Sequence, residues 1–212
     1  MNIKYNFNYQ QTIKTIYDDA RWEAYYDMVI IPLFNMKCKD RGVKIVPVHA
    51  TRKSGRKPAV EKPHFIETYS VEKEVLVNKE KKKKRFGIPD FVIVPEDSTY
   101  ENPKPALVNI EFKLPDGLTK EYIEVMPKKY KAELLHQFEC FDKHQIDKNI
   151  ILTDGITWYF LESEEDIENA TPIKLYDDMN KCCESNDEEY SDTEQKLLNR
   201  IDELLDKISS QE

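Results

Sequence analysis

From Gln10 to Ile31 the apolar residues Ile13, Ile16, Ala20, Ala24, Met28 and Ile31 recur at steps of three and four, which predicts a long helix with one buried face. Asp19, Glu23 and Asp27 run beside that face as an acidic row. Val43 to His49 then predicts a strand, and TRKSGRKP, Thr51 to Pro58, a basic loop of irregular backbone. His64 to Val77 is strand-like too. NKEKKKKR, Asn78 to Arg85, follows it, so the lysine run is expected to be the connection of an antiparallel hairpin. Two apolar runs come next, GIPDFVIV from Gly87 to Val94 and ALVNIEFK from Ala106 to Lys113, separated by a proline-rich turn from Pro95 to Pro105. After the turn LPDG, Lys128 to His144 predicts a helix with Tyr130, Leu134, Leu135, Phe138 and Phe141 on one stripe and Gln137 within it. Asn149 to Thr153 and Thr157 to Leu161 predict a hairpin around Asp154-Gly155. The order condenses to helix, three strands, helix, two strands, with no internal repeat.

Beyond Leu161 the chain turns acidic from Glu162 to Glu168 and polar from Cys182 to Thr193. Leu197, Ile201, Leu204 and Ile208 then form the narrow apolar seam of an amphipathic helix. That seam either docks on the preceding domain or meets a second copy in a homodimer. The chain therefore divides into a domain over residues 1–161 and an acidic extension over 162–212.

Charge sharpens this division. The extension holds seventeen acids against five bases, a balance of −12, so the remainder carries +4 of the chain's net −8. Such an acidic segment is expected to lie away from a polyanionic substrate or to shield the basic loops. No apolar run approaches a membrane span; the best, Met28 to Phe34, is short and contains Pro32. MNIKYNFNYQ lacks the basic start and apolar centre of a signal peptide, which predicts a cytoplasmic protein, or a nuclear one if the source is eukaryotic and KKKKR is an import signal. Cys38, Cys140, Cys182 and Cys183 show no zinc spacing or disulfide framework, and His49, His64, His136 and His144 show no metal spacing.

The chemistry concentrates in the two apolar runs. Side chains alternate faces along a strand, so Glu111 and Lys113 point one way and Ile110 and Phe112 the other. With Asp90 opening the neighbouring run, two acids and a lysine can converge. Paired carboxylates hold Mg²⁺ while leaving open positions for phosphate oxygens and water, and a cation held so activates water and neutralises phosphodiester charge. The alternative for Glu111 and Lys113 is an ion pair on an exposed sheet face, but three charges in two apolar strands are costly without a function.

Pro89 and Asp90, then Glu111, Phe112 and Lys113, resemble the motif of the PD-(D/E)XK nuclease superfamily, over roughly Gln10 to Leu161. The resemblance implies a restriction-endonuclease-like α/β fold: an αβββαβ core with a mixed central sheet flanked by helices, here followed by a C-terminal helical tail. It implies a Mg²⁺- or Mn²⁺-dependent nuclease acting on DNA, with Asp90 and Glu111 as metal ligands and the Phe112 carbonyl as a third. Lys113 would orient or help deprotonate the attacking water, or stabilise the developing phosphorane charge. Many exonuclease-like and recombination-linked members carry a glutamine on the next helix, here Gln137, followed four residues on by tyrosine, where this chain has Phe141. Members often contribute a further acid from the first helix: Glu23 is chosen here, with Asp19 and Asp27 as rivals and Glu67 or Glu72 on the preceding strand as substitutes. The basic run places Lys81, Lys82, Lys83, Lys84 and Arg85 within about 20 Å of that site, ready for backbone phosphates. The competing reading is a catalytically inactive module of this fold that binds nucleic acid or a protein.

Overall fold

The computed structural model describes residues 27–48, 63–113, 126–175 and 188–210. These form a mixed α/β protein. Its six-stranded sheet has the order β1 (Val43–Pro47), β4 (Phe91–Pro95), β5 (Val108–Phe112), β6 (Ile150–Thr153), β7 (Thr157–Leu161) and β8 (Ile173–Lys174). Every neighbouring pair is antiparallel except β5 with β6. A parallel pair needs a crossover, and the helix α3 (Lys131–His144), entered through a 3₁₀ turn at Pro127–Tyr130, provides it.

Strand alternation sends two different sets of side chains to the two faces. Phe91 and Ile93, Val108, Ile110 and Phe112, and Ile151 pack on one face against α1 (Asp27–Cys38) and α5 (Glu188–Ser209). Ile150 and Leu152, with Tyr159 and Leu161, pack on the other against Leu134, Phe138 and Phe141 of α3. The short helix α4 (Asp166–Asn169) closes that second layer with Ile167. β5 is buried along its whole length. Among the described residues no helix is long and apolar enough to cross a membrane.

Three features differ from the sequence expectation, and a fourth decides between two alternatives that the sequence left open. First, α1 continues through Pro32 to Cys38 instead of ending at Ile31. Proline removes one helix hydrogen bond, but Leu33, Phe34 and Cys38 are buried in the core beyond it, and that packing holds the last turns. Residues before 27 lie outside the described part. Second, His64 to Val77 is not one strand: α2 (Pro63–Thr68) precedes β2 (Val71–Val77). Proline suits the first helical position, and the Ser70 hydroxyl donates back to the Ile66 carbonyl at 2.6 Å.

Third, the lysine run is not a connection but a strand, β3 (Glu80–Phe86), paired antiparallel with β2 in a separate two-stranded ribbon. The turn is Asn78-Lys79, both at positive φ (53° and 68°), as a tight two-residue hairpin requires. The register then sets Glu72 opposite Arg85 and Glu74 opposite Lys83, which relieves part of the lysine repulsion. Fourth, the apolar seam of α5 is occupied. Leu197, Ile201, Leu204 and Ile208 are buried with Ile30, Leu33 and Phe34 of α1, so the seam is closed within this chain rather than offered to a second copy. Lys37 and Arg41 lock the two helices through Asp202 and Asp206, at 2.5 and 2.7 Å. The acidic helix thus lies across the sheet from α3.

Candidate functional site

Phe91 pairs with Ile110 and Val92 with Asn109. Extending this antiparallel register by one residue sets Asp90 opposite Glu111. Both then point to the α3 face, since Phe91, Ile110 and Phe112 point to the other. The Asp90 carboxylate accepts a hydrogen bond from the Phe112 backbone N–H at 2.9 Å, and the Asp90 carbonyl accepts one from Val48 at 2.8 Å. Asp90 is therefore fixed from both neighbouring strands.

Glu111 is 2 % exposed, and each of its oxygens meets a donor. Lys113 Nζ lies 2.5 Å from Oε1, and Gln137 Nε2 donates to Oε2 at 2.7 Å. Lys113 also reaches Glu133 Oε2 at 2.9 Å and stands 5.2 Å from the centre of the Tyr130 ring. Glu133 and Gln137 are four residues apart on α3 and so share a face. Two strands and one helix thereby bring Asp90, Glu111, Lys113, Glu133, Gln137 and Tyr130 together at the end of β5.

The electrostatics follow from this crowding. Burial first, and the Asp90 charge second, push the Glu111 carboxyl well above the usual carboxylate range against the opposite pull of Lys113. Burial works against the Lys113 charge, but Glu111 and then Glu133 outweigh it and raise its pKa. Lys113 is thus a cation held between two carboxylates. The Tyr130 hydroxyl is raised by burial, with Glu133, Asp154 and Glu111 adding to the effect and Lys113 opposing it.

One polar atom of the cluster is left over. Gln137 is fully buried, and its Oε1 has no hydrogen-bond partner among the described residues. A buried, unsatisfied amide oxygen costs about 1–3 kcal/mol. It is the acceptor that a water or hydrated ion beside Glu111 would use.

Gly87 is the backbone reason the pieces meet. It sits at φ 66°, and a Cβ there would lie 2.6 Å from the His136 carbonyl carbon and 2.8 Å from the Gln137 nitrogen. Only a residue without a side chain lets the approach to Asp90 touch the α3 backbone at Gln137.

The remaining candidates fall elsewhere. Phe112 buries its ring on the opposite face and contributes its backbone to the site. Glu23 and Asp19 lie outside the described residues, as does the basic loop Thr51 to Pro58; Asp27 opens α1. Glu67 and Glu72 pair with Arg85 at 2.6 and 3.4 Å, at the foot of the ribbon. Lys81, Lys82, Lys83, Lys84 and Arg85 all stand on β3. Among the described residues no three of His, Cys, Asp and Glu are grouped to hold a metal, so the carboxylates available together are Asp90 and Glu111, with Glu133 engaged through Lys113. Two carboxylates completed by water suit Mg²⁺, which keeps several of its waters.

Glu133 and Tyr130 were missed in the sequence. Glu133 falls four residues before Gln137, a spacing that would have revealed it, but an acid in a helix's first turn is ordinary. Tyr130 falls in the apolar stripe of the helix predicted over Lys128 to His144, which points to the core rather than to a site. No protein-family model matches the chain, and no curated protein or solved structure matches it.

Proposed function

We propose that the protein is a Mg²⁺- or Mn²⁺-dependent nuclease with a restriction-endonuclease-like fold of the PD-(D/E)XK type, hydrolysing phosphodiester bonds in DNA. The observation that carries this reading is the cluster itself. Asp90 and Glu111 are buried carboxylates opposed across two strands, with a lysine and a glutamine aimed at Glu111 and an amide oxygen left to accept one further hydrogen bond. Like charges directly opposite are destabilising, and a divalent cation between Asp90 and an ionised Glu111 would remove that cost. A divalent ion at this place supplies Lewis acidity to a phosphoryl oxygen and to a water.

Each residue then has a defined task. Asp90 and Glu111 would hold the ion, with the Phe112 carbonyl, and the resemblance would add an acid such as Glu23. The Phe112 N–H fixes the Asp90 carboxylate so that it approaches the ion without rotation. Gln137 orients Glu111 through Oε2 and offers Oε1 to a water. Lys113, charged because two carboxylates face it, stabilises the charge that grows on the phosphoryl oxygens and does not act as a base.

A second reading draws on the same lysine. Lys113 already neutralises Glu111 at 2.5 Å, an arrangement that also suits a module of this fold that binds nucleic acid or a protein without cutting it. Incubation with linear, circular and single-stranded DNA, with and without Mg²⁺ or Mn²⁺, separates the two. The nuclease predicts metal-dependent cleavage that Asp90→Ala and Lys113→Ala both abolish. Binding without cleavage by the wild-type protein favours the module.

A further inference from the structure

Among the described residues the β2–β3 ribbon pairs with no other strand and forms a sheet of its own. Its foot is firmly set: the Phe86 ring lies 5.0 Å from the His136 ring, Lys73 reaches Glu139 of α3 at 2.6 Å, and Arg85 reaches Glu67 at 2.6 Å. Phe86 is followed at once by Gly87, which is pressed on the α3 backbone, and then by Pro89 and Asp90. The ribbon is therefore indexed to the carboxylate cluster.

Its surface is unlike the rest of the described molecule. Between Val71 and Phe86 seven bases face three acids, a surplus of four positive charges in a chain of net −8. Lys81 pairs with Glu74 at 3.2 Å and Lys83 with Glu72 at 2.8 Å, exposed pairs that are weak in water and easily exchanged for phosphate. Lys84 has no ion-pair partner among the described residues. Near the tip, Leu76 is 76 % exposed, directly across from Lys81. A hairpin built only for solubility has no use for an open leucine in a row of lysines.

Charge, width and length together select one partner. Two strands about 4.8 Å apart, carrying side chains on both faces, fit a B-form major groove about 12 Å wide. Strands of seven residues reach about 20 Å, more than half a helical turn of DNA. In that groove the leucine meets thymine methyl groups while the lysines reach the flanking phosphates. The major groove of double-helical RNA is too deep and narrow to admit the ribbon. A protein strand adding to the β3 edge would meet the lysine row, a feature that discourages such pairing.

We infer that the β2–β3 ribbon is an arm that lies in the major groove of double-helical DNA and presents its backbone to the Asp90–Glu111 cluster. This deepens the proposed nuclease reading by naming the duplex as substrate. The binding half is testable without cleavage.

The experiment is fluorescence anisotropy of the full chain in EDTA with duplex DNA, double-stranded RNA and single-stranded DNA of one sequence, over about 50–200 mM salt. The variants are Lys81→Ala/Lys83→Ala/Lys84→Ala and, separately, Leu76→Ser; all four side chains are exposed, and circular dichroism checks the fold. The expected result is preference for duplex DNA, binding weakened ten- to hundredfold in the triple variant, and a salt slope lower by about three. Wild-type affinity in the triple variant, equal binding of RNA or single strands, or no nucleic-acid binding would overturn the inference. Metal-dependent cleavage is measured in parallel. Cleavage undiminished in the triple variant overturns the arm and leaves the active site standing, whereas ribbon-dependent binding without cleavage supports the arm and removes the nuclease.

Discussion

The Gln137 amide donates to Glu111 Oε2 at 2.7 Å while its own carbonyl oxygen, buried on the same helix face, has no partner among the described residues. This half-satisfied glutamine ties α3 to the strand that carries the candidate metal ligand. Gln137→Leu should leave Glu111 short of a donor and weaken metal affinity or turnover about ten- to hundredfold, as loss of a residue supporting a metal ligand does. The loss in stability should be no more than about 1–3 kcal/mol, because the substitution also removes the orphaned oxygen. Metal titration beside urea denaturation checks both numbers.

Gly87→Ala should act differently. The alanine would be held at positive φ, and its methyl would collide with backbone atoms of His136 and Gln137, which cannot swing away as a side chain could. Strain and overpacking together predict about 2–5 kcal/mol of destabilisation. Chemical denaturation gives the loss, and Gly42→Ala is the control: that glycine also has positive φ but open space around it, so it should show the backbone strain alone.

Glu133→Gln tests how Lys113 is held. Glu133 is on the rim of the site and 37 % exposed, so stability should change by less than about 1 kcal/mol. Lys113 would then lean wholly on Glu111, its 2.5 Å partner, and be less available to the phosphate. Steady-state cleavage should show kcat lowered about tenfold with KM little changed, the pattern of an interaction used in the transition state.

Metal-free stability should depend on pH through Glu111. Burial and Asp90 raise its carboxyl above the ordinary value of 4.5, so the native state keeps a proton that the unfolded chain has released. Its stabilising contribution is full below that ordinary value and falls as pH rises toward the folded one. The urea midpoint should therefore drop on going from acid to neutral pH, Mg²⁺ should reverse the drop, and Glu111→Gln should flatten the profile.

The convergence of Asp90, Glu111 and Lys113 was legible in the sequence because strand phase is a strong rule. An acid and a lysine two apart, with Ile110 and Phe112 between and beside them, leave one arrangement once β5 is buried on both faces. Helix periodicity likewise placed Gln137 within the stripe that faces the sheet. The ribbon was illegible for the opposite reason: EKKKKRF has no apolar alternation, and its strand character comes from pairing with Glu72 and Glu74 and from the Asn78-Lys79 turn. Pro32 misled in the same way, since a local helix breaker was overridden by the tertiary burial of Leu33 and Phe34. Glu133 could be recognised only once α3 was docked over Lys113.

The proposed nuclease requires Asp90 and Glu111 to hold a divalent cation together. Calorimetric titration of Mn²⁺ into the wild-type protein and into Asp90→Asn, with no nucleic acid present, measures it most directly. A saturable site is expected in the wild type, abolished or weakened at least tenfold by the substitution; equal binding by both proteins, or none by either, would rule out shared coordination by the two carboxylates.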